Sequence, residues 1–125
     1  MHPELLISYY ETISKKVGGA DAFARLFMAP GLNHCIGGDG PNVFGQQLVA
    51  DAPVGADRNV LQALERWVIE GIAPEQVIAQ RHIDDNRRKP VARTRPLCAY
   101  PKVARWTGSG SIDAAENFRC VAAPQ

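Results

Sequence analysis

The chain has no real excess of either charge. Fourteen Lys and Arg against thirteen Asp and Glu leave a formal net charge of +1 over 125 residues. Whole-chain electrostatics therefore favours neither a nucleic acid nor an anionic membrane as partner. No apolar run approaches the ~18 residues that a membrane span requires. The opening Met1-His2-Pro3-Glu4 has no basic segment leading into an apolar one, so no secretory signal is expected there. Internal repeats and low-complexity tracts are lacking too. Cysteine is scarce, and the count of three is odd. In an oxidising compartment an odd count implies a free thiol or a partner elsewhere, whereas in a reducing one three free thiols are ordinary.

Several chemical signatures are also missing. Gly-x-Ser-x-Gly, the elbow that presents a nucleophilic serine, does not occur, and no Cys-Ser pair replaces it. Ser109 lies in Gly108-Ser109-Gly110-Ser111 but is not read as a nucleophile. The glycine-rich run at 37–40 has no Lys-Ser/Thr partner, which excludes a phosphate loop. His34, Cys35 and His82 lack the paired spacing of a metal site, so no metal is expected. Arg87, Arg88, Lys89, Arg93 and Arg95 place five positive charges within nine residues. Asp84 and Asp85 lie beside them and no aromatic side chain interleaves, so the stretch reads as a solvated loop rather than a nucleic-acid patch.

What is present is ordinary for a globular chain, with 46% hydrophobic and 22% charged residues. The length suits one domain or part of a larger one. A helix is expected over 3–17: Pro3 suits a first helical position, and Leu6, Tyr10, Ile13 and Val17 share a face before Gly18-Gly19 stops it. Phe23–Met28 is short and apolar and reads as a buried strand of a parallel sheet. Residues 30–55 carry Pro30-Gly31, Gly37–Pro41 and Pro53-Val54-Gly55, and read as a long irregular stretch. A second helix starts after Asp57 as cap, buries Val60, Leu61, Leu64, Trp67 and Val68, and ends at Gly71. Gln76–Ile83 reads as a strand, and the last thirty-odd residues as a turn-rich tail. Strand, helix and strand in succession indicate an α/β architecture. So few elements make a thin core, which is the mark of an incomplete sheet.

One segment carries a chemical suggestion. Leu26-Phe27-Met28-Ala29-Pro30-Gly31-Leu32-Asn33-His34-Cys35 runs from an apolar strand through Pro-Gly to a histidine on a loop. An α/β-hydrolase presents its base in this way, because its triad order of nucleophile, acid, histidine puts the histidine late. The stretch from Phe27 to Cys35, followed by Gly37-Gly38-Asp39-Gly40-Pro41, resembles the histidine loop of the tannase/feruloyl esterase family. Ala63–Glu75 resembles the helix and Gly-x-Ala-Pro turn that follow it there. Thr94–Pro101 and Gly108–Cys120 resemble that family's C-terminal signature. The likeness runs from Tyr9-Tyr10 to Cys120, and the motifs keep their order.

The resemblance implies roles. His34 matches the general base and acid of a Ser-His-Asp triad. Cys35 matches a cysteine that bonds the one beside the nucleophilic serine, so its partner is expected outside this chain. Cys98 and Cys120 match two late cysteines that pair with each other. Imidazole suits the base because its proton affinity lies near neutrality. The carboxylate fixes its tautomer, and the acyl-enzyme divides ester cleavage into two steps. The chain, residues 1–125, is then expected to be the C-terminal segment of an α/β-hydrolase domain, inactive by itself. The serine and the acid would lie upstream, and the lid would hold the family's structural calcium, so no cofactor is expected in this segment. The implied substrate is a phenolic ester, feruloyl or galloyl. The implied partner is the missing N-terminal portion, with no nucleic acid and no membrane, and the full-length location is secreted or periplasmic. The alternative is a non-catalytic, truncated or decayed gene product that only folds or binds partners.

Overall fold

The computed structural model describes residues 2–47 and 51–124. Helix α1 spans Pro3–Val17, with Pro3 in its first turn, Glu4 at its positive end and Lys15 and Lys16 at its negative end. Gly18, at φ 76, closes it and donates its backbone N–H to the Ser14 carbonyl. The expected apolar face is only lightly covered: α1 buries no residue, and Leu6 and Val17 are exposed. Its anchorage is aromatic and polar. Tyr10 meets Tyr100 edge-on, with ring centroids 6.1 Å apart, and the Tyr100 hydroxyl donates to Glu11 at 2.6 Å. That bond to a carboxylate holds the Tyr100 phenol above its ordinary pKa.

Helix α2 spans Val60–Glu70 and ends at Gly71, φ 73, as expected. Its cap is not Asp57 but Asn59, whose side-chain oxygen accepts from the backbone N–H groups of Leu61 and Gln62. Asp57 instead pairs with Arg58, while its carbonyl accepts from Ile78. The buried residue of α2 is Ala63, outside the expected stripe; within the stripe Val60 and Trp67 are half-buried. Leu61, Leu64 and Val68 are exposed.

The sheet differs from expectation. Strand β1 (Gln76–His82) is where the sequence placed it and pairs antiparallel with β2 (Val91–Cys98), from Gln76 opposite Cys98 to Arg81 opposite Arg93. A bulge then shifts the register before His82 meets Val91. Strands β3 (Lys102–Trp106) and β4 (Phe118–Ala122) form a second antiparallel pair. The tail therefore carries β3, β4 and the end of β2 between its turns. Phe23–Met28 is no strand: only Phe27 pairs, antiparallel to Ala99. Among the described residues every strand pairing is antiparallel, so the parallel sheet is not seen.

The basic stretch is not one solvated loop either. Arg93 and Arg95 stand in β2. Arg93 bonds Asp113 at 2.6 Å, and the Arg95 guanidinium lies 3.9 Å from the centroid of the Phe118 ring. Burial pushes that guanidinium down from its ordinary pKa, and neighbouring Arg93 adds to the effect against Asp113. Arg87 reaches Asp51, and Lys89 pairs with Asp84. The core is small: Val77 and Ala79 of β1, Leu97 and Cys98 of β2, Ala99, Leu26, Val43, Ala63 and Ala20. A disulfide joins Cys98 to Cys120, Cα atoms 5.7 Å apart, and ties β2 to β4.

Candidate active site

The loop bearing His34 leaves the β1–β2 ladder at one point and returns to it at another. On entry the Leu26 carbonyl accepts from Tyr100 at 2.8 Å beside the Phe27–Ala99 bridge. On exit the Asn42 and Val43 N–H groups both donate to the Gln80 carbonyl at 2.9 Å, and Gln80 donates back to Val43 at 2.8 Å. The Arg81 guanidinium donates to the Asp39 carbonyl, and the Asn42 amide to Asp85 at 2.9 Å. The loop is thus pinned to β1 and to the residue following β2, although it has almost no regular structure of its own.

Its glycines allow two backbone segments to cross in contact. Gly40 donates to the Gly31 carbonyl at 3.1 Å, and Asn33 to the Gly37 carbonyl at 3.2 Å. A β-carbon on Gly38 would fall 2.0 Å from the Gly31 oxygen, and one on Gly40 would fall 2.0 Å from the Pro30 oxygen. No side chain fits at either crossing. The Gly37–Gly40 run is backbone packing, which explains glycine there without any bound phosphate.

His34 and Cys35 stand at the outer end of this loop, both exposed. Cys35 is a free thiol whose Sγ lies 3.2 Å from His34 Nδ1. Among the described residues no carboxylate pairs with the ring. Cys35 has a positive φ of 73, in the left-handed region that residues with a β-carbon seldom occupy. Two side-chain amides hold its carbonyl: Gln46 Nε2 at 3.2 Å and Gln47 Nε2 at 3.3 Å. Neither glutamine has a local sequence signal, since glutamine on an irregular stretch reads as solvated surface. Leu48, Val49 and Ala50, also within the long stretch read as irregular, lie outside the described residues.

The other sequence candidates lie elsewhere. Cys98 and Cys120 are joined to each other rather than to Cys35. A cavity of about 480 Å³ lies between their strands and the foot of the histidine loop, lined by Met28, Pro30, Gly40 and Pro41 on one side and Cys98 on the other. The His82 ring donates from Nδ1 to the Lys89 carbonyl at 2.7 Å and braces the β1–β2 turn. Ser109 is exposed between β3 and β4. Among the described residues no three His, Cys, Asp or Glu side chains gather as metal ligands would.

This geometry can be set beside known proteins. The family model for tannase and feruloyl esterase matches residues 1–121. The chain belongs to the tannase and feruloyl esterase family. An uncharacterised esterase of Xanthomonas campestris pv. campestris is 40% identical to it, over 98% of this chain and 24% of the relative. Mono(2-hydroxyethyl) terephthalate hydrolase of Piscinibacter sakaiensis is 41% identical, over 93% of this chain and 17% of the relative. Among solved structures, an esterase from Aspergillus oryzae superposes with a TM-score of 0.86 at 32% identity, covering 95% of this chain and 24% of its own. Feruloyl esterase B from the same organism gives 0.80 at 32% identity. The chain thus spans about a quarter or less of these relatives' length.

Proposed function

We propose that this family member supplies the histidine of a serine-type carboxylic ester hydrolase acting on phenolic esters, feruloyl or galloyl. In this reading residues 1–125 form the C-terminal part of an α/β-hydrolase domain. The observation that carries it is His34: an exposed imidazole at the end of a loop pinned on both sides, in the position the family motif gives its base. The ring nitrogen facing a serine hydroxyl takes its proton as oxygen attacks the ester carbonyl. It returns that proton to the departing alcohol, leaving an acyl-enzyme that water then cleaves by the same relay. A carboxylate on the other nitrogen holds the tautomer and stabilises the imidazolium.

Serine and carboxylate both come from outside this chain, so the remaining portion of the domain is its partner. Cys35 pairs there with the cysteine beside the nucleophile. That bond draws Sγ away from Nδ1 and leaves this nitrogen open to the carboxylate. The Cys98–Cys120 disulfide supports an oxidising location, extracellular or periplasmic.

The test is a graft. Residues 1–121 replace the matching stretch of the Xanthomonas relative, produced with oxidation, and methyl ferulate and methyl gallate hydrolysis are followed. Activity is expected in the graft and absent from the isolated chain. His34→Ala should lower kcat by on the order of 10⁶-fold, as loss of a triad histidine does. A graft that keeps its rate with alanine at position 34 would end this reading.

A further inference from the structure

The structure assigns Gln46 as the positioning residue that holds His34 in place, a role resting on the reading of His34 as the base. Each group of its side-chain amide is used. Nε2 donates to the Cys35 carbonyl at 3.2 Å and to the Asn42 carbonyl at 2.6 Å, while Oε1 accepts from the Phe44 N–H at 3.0 Å. These partners fix which end is nitrogen: reversed, the oxygen would face two carbonyls and the NH₂ an N–H.

The bonds connect the exit segment at Asn42 with the outer end of the loop at Cys35. Asn42 donates its backbone N–H to the Gln80 carbonyl of β1. Cys35 adjoins His34 and holds a left-handed backbone, φ 73, that a residue with a β-carbon leaves unless its surroundings hold it there. Gln46 spans the two and transfers the position of the ladder to the peptide unit that follows Cys35, one residue beyond the imidazole. Without that grip, the Cys35 backbone relaxes to the extended region and carries the adjoining His34 with it, so the ring loses its fixed direction. Gln47 supports the same carbonyl at 3.3 Å, but among the described residues its amide reaches no second anchor on that exit segment, so it does not make the same bridge.

Gln46→Glu separates the contributions. Glutamate keeps an acceptor for Phe44 and removes both donated bonds, setting a carboxylate against two carbonyls. Two measurements follow. In the isolated chain, ¹H–¹⁵N spectra should show the Cys35 amide and the His34 ring nitrogens shifted, with β1 and β2 amides in place. In the graft, kcat should fall about tenfold or more with KM unchanged, because a misdirected base affects the chemical step rather than binding. The His34→Ala/Gln46→Glu double variant should be no slower than His34→Ala alone, since the glutamine acts only through the ring. If Gln46→Glu disturbs the ladder amides, Gln46→Met, of similar length and uncharged, carries the same readouts. Wild-type ring resonances and kcat in these variants would overturn the assignment while leaving the base intact. Retained activity in His34→Ala would remove the base itself, a separate outcome.

Discussion

Reducing the Cys98–Cys120 disulfide should cost this chain a large part of its stability. The bond closes a loop across a sequence separation of 22. Releasing that constraint on the unfolded chain is worth about 3 kcal/mol on the loop-entropy relation. The native side has little to offset it. The bond joins the β1–β2 pair to the β3–β4 pair, and an isolated two-stranded sheet is marginal in water. Of the residues in β3 and β4 none is fully buried. The two tryptophans divide the report, Trp67 on α2 and Trp106 at the end of β3. Urea unfolding followed by the fluorescence of a Trp67→Phe variant therefore reads the tail alone. With a slope of about 1.5 kcal/mol per molar urea, dithiothreitol should lower the midpoint by about 2 M. A reduced midpoint within about 0.3 M of the oxidised one would show that apolar packing holds the tail, and the reasoning from loop entropy would fail.

Gly38→Ala should destabilise by about 1–3 kcal/mol, and more than Gly18→Ala, because its φ of 95 and a 2.0 Å approach to the Gly31 oxygen act together. Gly18 has a similar positive φ with open space around it, so equal melting shifts for the two variants would count against the backbone crossing. Glu75 should titrate below an ordinary carboxylate, chiefly because Lys102 donates to it at 2.9 Å, with Arg25 adding to the effect. A lowered native pKa means its small stabilising contribution is complete above the unfolded-state value and is lost as pH falls through the native one. Lys102→Met should raise the midpoint seen by carboxyl ¹³C NMR; no movement would exclude the pair as the cause.

Features that depend on a few neighbouring residues were legible in the sequence. Both helices show their period and their glycine stops, β1 shows its short apolar run, and the histidine is marked by the residues on either side. Features that depend on distant partners were not. Phe23–Met28 has the composition of a strand, yet a strand exists only where a neighbour runs beside it, and here only Phe27 finds one. Arg93, Arg95 and Pro96 conceal β2, because their places are made by Asp113, Phe118 and a pairing with Ile78. Asp57 and Asn59 are both good caps by type. The choice falls to Asn59, whose amide nitrogen also donates to the Pro53 carbonyl at 2.8 Å, a loop contact invisible in the helix's own residues. Gln46 was silent for the same reason: its partners are backbone atoms, which carry no side-chain signature.

The crossing of Pro30-Gly31 with Gly38–Gly40 also governs how this chain can change length. Between the crossing strands, residues 32–37 form a noose whose neck is closed by backbone touching backbone. An inserted or deleted residue there would carry a glycine away from its crossing and bring a β-carbon into a carbonyl oxygen, while turning the imidazole from its bearing. The Asp84–Lys89 turn closing β1 onto β2 contains no glycine and meets the histidine loop through a side-chain bond, Asn42 to Asp85. Length variation among relatives should therefore collect at that turn, with the histidine noose keeping a constant count of residues.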